Sequence, residues 1–184
     1  MSGKLFVISG ASGVGKGTVL AKVMDKRDDL EFSVSATTRP PRPTEIDGVH
    51  YYFIDDQRFK EMIRQDEFLE YDDHAKASYG TPKGQLEEKL AHSNVILDVE
   101  PVGAKIVHEK RPDATLIFIM PPSLEELERR LRGRGDTSEE QIALRLERAK
   151  WEMEQRFWYD YVVVNDSLDD CVDEVLKIIA EKAD

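Results

Sequence analysis

Residues 10–18 read Gly10-Ala11-Ser12-Gly13-Val14-Gly15-Lys16-Gly17-Thr18 (GASGVGKGT), directly behind the apolar run Leu5-Phe6-Val7-Ile8. Glycines let backbone N–H groups turn inward, a lysine reaches the outer phosphates, and a helix start adds the positive end of its dipole. The stretch supplies all three in the order strand, loop, helix, so it predicts a nucleoside triphosphate held at the head of a helix over 16–27. The pattern G-x-x-x-x-G-K-[ST] is met at Gly10, Gly15 and Lys16 and fails at its last position, where Gly17 precedes Thr18. The usual magnesium-binding hydroxyl is displaced by one residue. The expectation is therefore Mg2+ held mainly by phosphate oxygens and water, with Thr18 or Asp98 assisting. Glycines at 13, 15 and 17 do not make G-x-G-x-x-G, which disfavours a dinucleotide fold.

Outward from the loop, short β-rich apolar runs recur at 4–8 (KLFVI), 95–99 (VILDV), 115–119 (TLIFI) and 161–164 (YVVV). Helical patterns lie near 102–110, 123–132 and 138–156, with a last helix from about 168 to 182. Continuous apolar strands alternating with helices predict an α/β three-layer fold around a parallel sheet. In the last helix, Ser167 and Asp170 make a capping box, and Val172, Val175, Leu176 and Ile179 form one apolar stripe. Residues 32–81 break the rhythm with short strand-like pieces, FSVSA (32–36), HYYFI (50–54) and FLEYD (68–72), and one helix near 56–65. They predict an insertion that folds over the sheet's edge.

The 184 residues suit one domain, and 26 Lys and Arg against 37 Asp and Glu give a net charge of −11. Such a chain does not attract nucleic acid or anionic membrane nonspecifically, so an anionic ligand needs a local basic pocket. The single cysteine, Cys171, cannot form an intrachain disulfide, the first ten residues carry too short an apolar run for a signal peptide, and no run is long enough to span a membrane. A reducing cytoplasm is the natural reading. Histidines at 50, 74, 92 and 108 show no i, i+4 pair and no cysteine cluster beside them, which argues against a zinc site. G-x-S-x-G fails because Val14 takes its last position, and Arg-Gly-Asp at 134–136 reads as coincidence.

Thr37-Thr38-Arg39-Pro40-Pro41-Arg42-Pro43 offers a second phosphate site. A polyproline II segment has about three residues per turn, so Arg39 and Arg42 would share one face about 9 Å apart along the axis. Arginine's planar fork grips phosphate oxygens in pairs, and two forks can hold a monophosphate from two sides. A proline-stiffened loop with solvated arginines is the plainer alternative.

Taken in order, GASGVGKGT, VSATTRPPR, DGVHYYF, FLEY, YGTP, ILDVE and RLRGRG followed by IALRLERA resemble guanylate kinase from residue 4 to about 166. The resemblance implies transfer of the terminal phosphoryl of ATP to GMP with Mg2+, on a single domain over 1–184. Its core would be 1–34, 82–129 and 146–184, with a GMP-binding insertion at about 35–81 and a mobile lid at about 130–145. It implies GMP contacts at Ser35, Arg39, Arg42, Tyr51, Glu70, Tyr79, Thr81, Asp98 and Glu100. It likewise implies that Gly10 to Thr18, Arg130 and Arg134 hold ATP, and that Lys16, Arg39, Arg134 and Arg145 serve the transfer itself. Ala11, Ala77-Ser78 and Pro101 depart from common family residues, which bears on local loop shape. Two alternatives share much of this pattern: a guanylate-kinase-like protein-interaction module without catalysis, and a kinase for AMP or TMP.

Guanine presents O6 as acceptor beside N1–H and N2–H2 as donors, so Glu70 or Glu100 can accept from the donors while Ser35 or Thr81 donates to O6. Adenine would leave such a carboxylate unpaired, a mismatch that gives about 10⁴-fold to 10⁵-fold discrimination. Tyr51 and Tyr79 can turn hydroxyls toward the acceptor's phosphate. That phosphate is already anionic, so the obstacle is repulsion between polyanions, and cations with in-line placement are the remedy. Arg134 falls in the glycine-flanked GRGD, and Thr137 with Glu140 predicts a capping box at the start of the helix bearing Arg145.

Overall fold

A computed structural model describes residues 3–73, 77–133 and 138–183, with Asp73 described for its backbone alone. In chain order its elements are β1 (Leu5–Gly10), α1 (Lys16–Asp25), β2 (Leu30–Phe32), β3 (Ala36–Thr37), β4 (Tyr52–Phe53), α2 (Asp56–Arg64), β5 (Phe68–Asp73) and β6 (Ser78–Pro82). There follow α3 (Lys83–Leu90), β7 (Asn94–Asp98), α4 (Pro101–Lys110), β8 (Thr115–Met120), α5 (Leu124–Gly133), α6 (Glu139–Glu154), a 3-10 turn over Gln155–Trp158, β9 (Tyr161–Val164) and α7 (Leu168–Ala183). These divide into two units, one of Met1–Leu5 and Asp29–Ala114, the other of Phe6–Asp28 and Thr115–Asp184.

In the second unit β1 pairs with β8 and β8 with β9, both in parallel, with Phe6 opposite Thr115 and Ile117 opposite Tyr161. Every residue of β1 and Leu116 to Ile119 of β8 are buried, as strands covered on both faces require. Helix α7 packs on α1 and on β9, and α5 packs on α6. The Ser167 hydroxyl accepts the Asp170 N–H at 3.5 Å, so the expected cap of α7 is present. The buried stripe of α7 is Cys171, Val172, Val175, Ile178 and Ile179, with Leu176 only half-buried, a slight rotation from the sequence reading.

In the first unit β2 runs parallel to β7, with Leu30 opposite Asn94. A separate four-stranded sheet has the order β4-β3-β6-β5, in which β3 and β4 are parallel and the other pairs antiparallel. The stretch FSVSA is therefore no single strand: Phe32 ends β2 and Ala36 begins β3. Helix α2 starts at Asp55, whose carboxylate accepts the Arg58 N–H at 2.7 Å. It buries Phe59 and Met62 against Ala36 and Phe68, and the Phe59 and Phe68 rings lie 4.7 Å apart. Helix α4 begins with Pro101, pre-set for a first helical position, and packs on β5.

The arrangement is the α/β class with parallel strands that the sequence predicts. Among the described residues no helix is long and apolar enough to cross a membrane.

Candidate functional site

The Gly10–Thr18 stretch joins the end of β1 to the start of α1. Gly15 is the N-cap of α1 and sits at φ +94°, and Gly13 at φ +86°, both in the left-handed region that β-carbon sterics deny to most residues. Lys16 is thereby the first residue of the helix. Amides of this stretch are engaged within the protein: Ala11 N–H on the Ile119 carbonyl at 3.2 Å, Val14 N–H on the Ala11 carbonyl at 3.0 Å, Thr18 N–H on the Gly15 carbonyl at 3.0 Å, and Ser12 N–H on Glu152 Oε2 at 2.6 Å. The two left-handed glycines turn the backbone ahead of α1, and the amides of a glycine-rich helix start are the kind of group that can face an anion.

Two side chains that the sequence reading overlooks brace this loop. Glu152 is 1% exposed although acidic, and its other carboxylate oxygen accepts from Arg148 Nε at 2.8 Å. Its place in the buried set Ile142, Ala149 and Glu152 of α6 is the signal, since an acid at a core spacing of a helix must have a partner inside. Asn165, 6% exposed and just beyond β9, donates from Nδ2 to the Val14 carbonyl at 2.8 Å. Its own carbonyl accepts from Arg130 Nη1 at 2.7 Å, and Arg130 also reaches Glu126 at 2.7 Å and the Asp166 carbonyl at 3.2 Å. Arg130, expected at ATP, is thus tied to the turn that supports the phosphate loop. Arg145 stands exposed on α6. Arg134 and Thr137 lie outside the described residues. The described cap of α6 is Ser138, whose hydroxyl accepts the Gln141 N–H at 3.3 Å, one residue later than the expected Thr137–Glu140 box.

In the first unit the two arginines expected as a like pair differ. Arg39 is 17% exposed at its side chain and grips Glu45 with two parallel hydrogen bonds, Nη1 to Oε2 at 2.7 Å and Nη2 to Oε1 at 2.8 Å. Its guanidinium lies 5.2 Å from the Tyr51 ring centre and 5.7 Å from that of Phe53, and the Tyr79 phenol nearby favours its charged form. The Tyr51 and Tyr79 rings meet edge to face at 5.9 Å, so Arg39, Tyr51 and Tyr79 are brought together as expected. Arg42 is exposed and engages Glu45 through its backbone N–H at 2.7 Å. Glu45 N–H in turn meets the Arg42 carbonyl at 3.0 Å, closing a turn where a regular polyproline segment was expected. The paired guanidinium holds the Glu45 carboxyl down at about 2, and burial raises the Tyr51 phenol above its ordinary value.

Glu70 of β5 is 6% exposed and its carboxyl is pushed up, chiefly by burial. The fully buried Thr81 hydroxyl donates to Glu70 Oε1 at 2.5 Å. Across from it, Gly103 of α4 leaves room: a Cβ there would come 2.6 Å from Glu70 Oε2. The sheet and helix thus frame a buried acid with one hydroxyl, a group suited to neighbouring N–H donors. The Thr81 hydroxyl is thus engaged with Glu70, and Ser35 lies half-buried before β3. Asp98 ends β7 half-buried, and Glu100 is the exposed N-cap of α4.

Among the described residues no group of three or more His, Cys, Asp or Glu could hold a metal ion. The exposed hydroxyl of Thr18 on α1 and the half-buried carboxylate of Asp98 are oxygen donors of the kind Mg2+ takes.

The family model described as Guanylate kinase matches residues 2–182. A guanylate kinase of Thermus thermophilus is 51% identical over 180 residues, which cover 97% of this chain and 81% of that one. One from Prochlorococcus marinus is 48% identical over 177 residues, covering 96% of each. Among solved structures, a guanylate kinase from Anaplasma phagocytophilum superposes with a TM-score of 0.79 at 31% identity, over 99% of this chain and 87% of that one. A gluconokinase from Sinorhizobium meliloti, at 17% identity and a TM-score of 0.53, shares the fold.

Proposed function

This chain belongs to the guanylate kinase family, and from that premise we infer that it transfers the terminal phosphoryl of ATP to GMP, giving ADP and GDP. The observation that carries the reading is the intact phosphate loop, with Gly15 left-handed at the head of α1 and Lys16 behind it. A module that only binds protein has no use for that geometry.

A phosphate oxygen of GMP attacks the terminal phosphorus, the bond to the bridging oxygen breaks, and its electron pair leaves with ADP. The nucleophile carries its own negative charge, so no side chain need take a proton. The catalytic task is to hold two polyanions in line and offset their repulsion. On the donor side we assign Lys16 to the outer phosphates, with the amides of Gly13, Gly15 and Gly17 around them and Thr18 following; Arg134 and Arg145 add charge to the transferring group. On the acceptor side we assign Arg39, Arg42, Tyr51 and Tyr79 to the phosphate of GMP. Glu70 accepts from guanine N1–H and N2–H2, Ser35 donates to O6, and Asp98 and Glu100 complete the nucleoside's polar surround. Thr18 or Asp98 would assist phosphate oxygens and water in holding a Mg2+, which when bound would supply positive charge to offset that of the phosphates. The cytoplasm is the compartment we assign, in keeping with the single Cys171 and the substrates.

The test is ADP formation from ATP and Mg2+ with GMP, AMP, TMP or no acceptor. Turnover dependent on GMP and lost in Lys16→Met supports the reading. Transfer to AMP or TMP moves it to a sister kinase, and a folded protein with no transfer to any acceptor overturns it.

A further inference from the structure

We propose that Lys110 is a positioning residue for guanine recognition: from the end of α4 it pins the bulge of β5 that presents Glu70. The proposal rests on the reading of Glu70 as the acid that meets guanine, and adds to it a side chain from another element.

Glu70 does not sit in a regular ladder. Phe68 lies opposite Pro82 and Tyr71 opposite Gly80, so three steps along β5 match two along β6, and the register shifts between Phe68 and Tyr71. Such a bulge carries one residue more than its partner strand, bends the strand and re-aims the side chains within it. Leu69 and Glu70 are the residues inside the shift, and both are buried, at 5% and 6% exposure. The direction of the Glu70 carboxylate therefore depends on a stretch whose backbone pairing is interrupted, and a buried carbonyl there calls for a partner from elsewhere.

Lys110 is such a partner. Its Nζ donates to the Leu69 carbonyl at 2.7 Å. Helix α4, which ends at Lys110, packs on β5, and Gly103 permits the approach, since a Cβ there would come 2.6 Å from Glu70 Oε2. The helix thus meets the bulge with an absent side chain at Glu70 and a charged one at Leu69. A lysine in the last turn of a helix ordinarily serves its own helix's carbonyls and dipole, which is all the sequence shows of Lys110. Here the ammonium is turned onto the neighbouring strand.

The same ammonium acts on the acid itself. Burial chiefly raises the Glu70 carboxyl, the Thr81 hydrogen bond lowers it, Asp72 raises it and Lys110 lowers it; among the described residues these are the groups of β5, β6 and α4 that bear on it. Guanine's N–H donors require the carboxylate, so KM for GMP falls as pH climbs through the raised value. Without Lys110 that fall moves to higher pH.

The test compares Lys110→Met and Lys110→Arg with the unmodified protein, by steady-state rates over a range of pH and by thermal unfolding. Met keeps much of the stem and loses both donor and charge. KM for GMP should rise about tenfold, the lower end for a hydrogen bond from a charged group, while KM for ATP stays close to the parent's. Arg keeps a donor and the charge and should recover most of the loss. The pH profile supplies the readout that mere loosening of α4 on β5 would not give, because slack packing weakens GMP without displacing the fall. An unchanged KM for GMP in Lys110→Met overturns the proposal, as does a rise shared equally by ATP. A rise with an unmoved pH profile overturns it too, and so does Lys110→Arg behaving no better than Lys110→Met. If the parent protein shows no GMP-dependent turnover, the kinase reading fails; if its KM for GMP is flat with pH, the Glu70 reading fails, and in either case the proposal falls with it.

Discussion

Two loops of this protein are suited to phosphate, and they solve the problem by different means. At Gly10–Thr18 the donors are backbone amides, and their directions follow from the chain's path through two left-handed glycines into α1. At Arg39–Glu45 the donors are side chains, and their directions follow from an ion pair with Glu45 and from aromatic neighbours. The first loop uses a carboxylate as well, but Glu152 engages the Ser12 amide and so braces the backbone, not a donor's rotamer. Backbone geometry is written into residue types that permit it, whereas side-chain aim is written into pairs. The first should tolerate changes of side chain that leave the path intact, and the second should not.

Lys16 is the exception at the first loop, a side chain that carries positive charge at the head of α1. Lys16→Met should lower kcat/KM by at least about 10³, the scale of losing a principal electrostatic contact to the transferring phosphoryl. Steady-state rates with GMP as acceptor check this, and a loss under tenfold would break the division of labour proposed for the loop.

Next in size is the brace. Glu152→Ala leaves the half-buried Ser12 amide and Arg148 without their shared acceptor, and should cost about 1–3 kcal/mol of stability together with a raised KM for ATP. Glu152→Gln retains an acceptor and should fall between the parent and the alanine variant. KM for GMP serves as the control, because the brace belongs to the donor loop. If Glu152→Ala raised both KM values equally, the contact would be general packing and the contrast would blur.

The contrast also explains what could be read in advance. A conformational requirement appears in a sequence as glycine, so the loop and the start of its helix were legible, as were the buried parallel strands in their apolar runs. Strand β4 lies within HYYFI and Ala36 of β3 closes FSVSA, but strands of two residues show no period from which to place their bounds, and α3, which buries Leu86 and Leu90 and carries Gly84, gives no pattern to read. The aims of Arg39 and Glu70 were illegible for another reason. Glu45 on Arg39 and Thr81 on Glu70 are partners six and eleven residues away, and which of many acids or hydroxyls is chosen depends on the fold. Arg39 and Arg42 looked alike because charge alone was visible.

Glu70 sharpens the acceptor side through pH. Burial raises its pKa in the folded chain, so the protonated form is favoured there. The stability this brings is complete below the ordinary carboxylate value and is lost as pH rises through the raised one. Guanine's N–H donors require the carboxylate, so binding must release that proton whenever the pH lies below the raised value. KM for GMP should therefore fall as pH climbs through that window, while KM for ATP shows no matching trend. Glu70→Gln should abolish the slope and weaken GMP at every pH. A flat profile in the parent would remove Glu70 from guanine recognition.

The smallest expected effect is the most direct test of the contrast. Gly17 is the residue by which the loop departs from the usual pattern, yet a Cβ there would meet nothing within 4 Å. It is the second residue of α1 and lies outside the left-handed region, so its glycine is not demanded by the path. Gly17→Ser should keep the loop's amides where they are and stabilise α1 by about 0.5 kcal/mol through reduced freedom of the unfolded chain. The hydroxyl then stands where the pattern usually places a Mg2+ ligand, and the Mg2+ concentration for half-maximal rate should fall. Thermal unfolding and a Mg2+ titration of the rate check the two parts. A large loss of ATP binding in Gly17→Ser would show that side chains govern the first loop as they do the second.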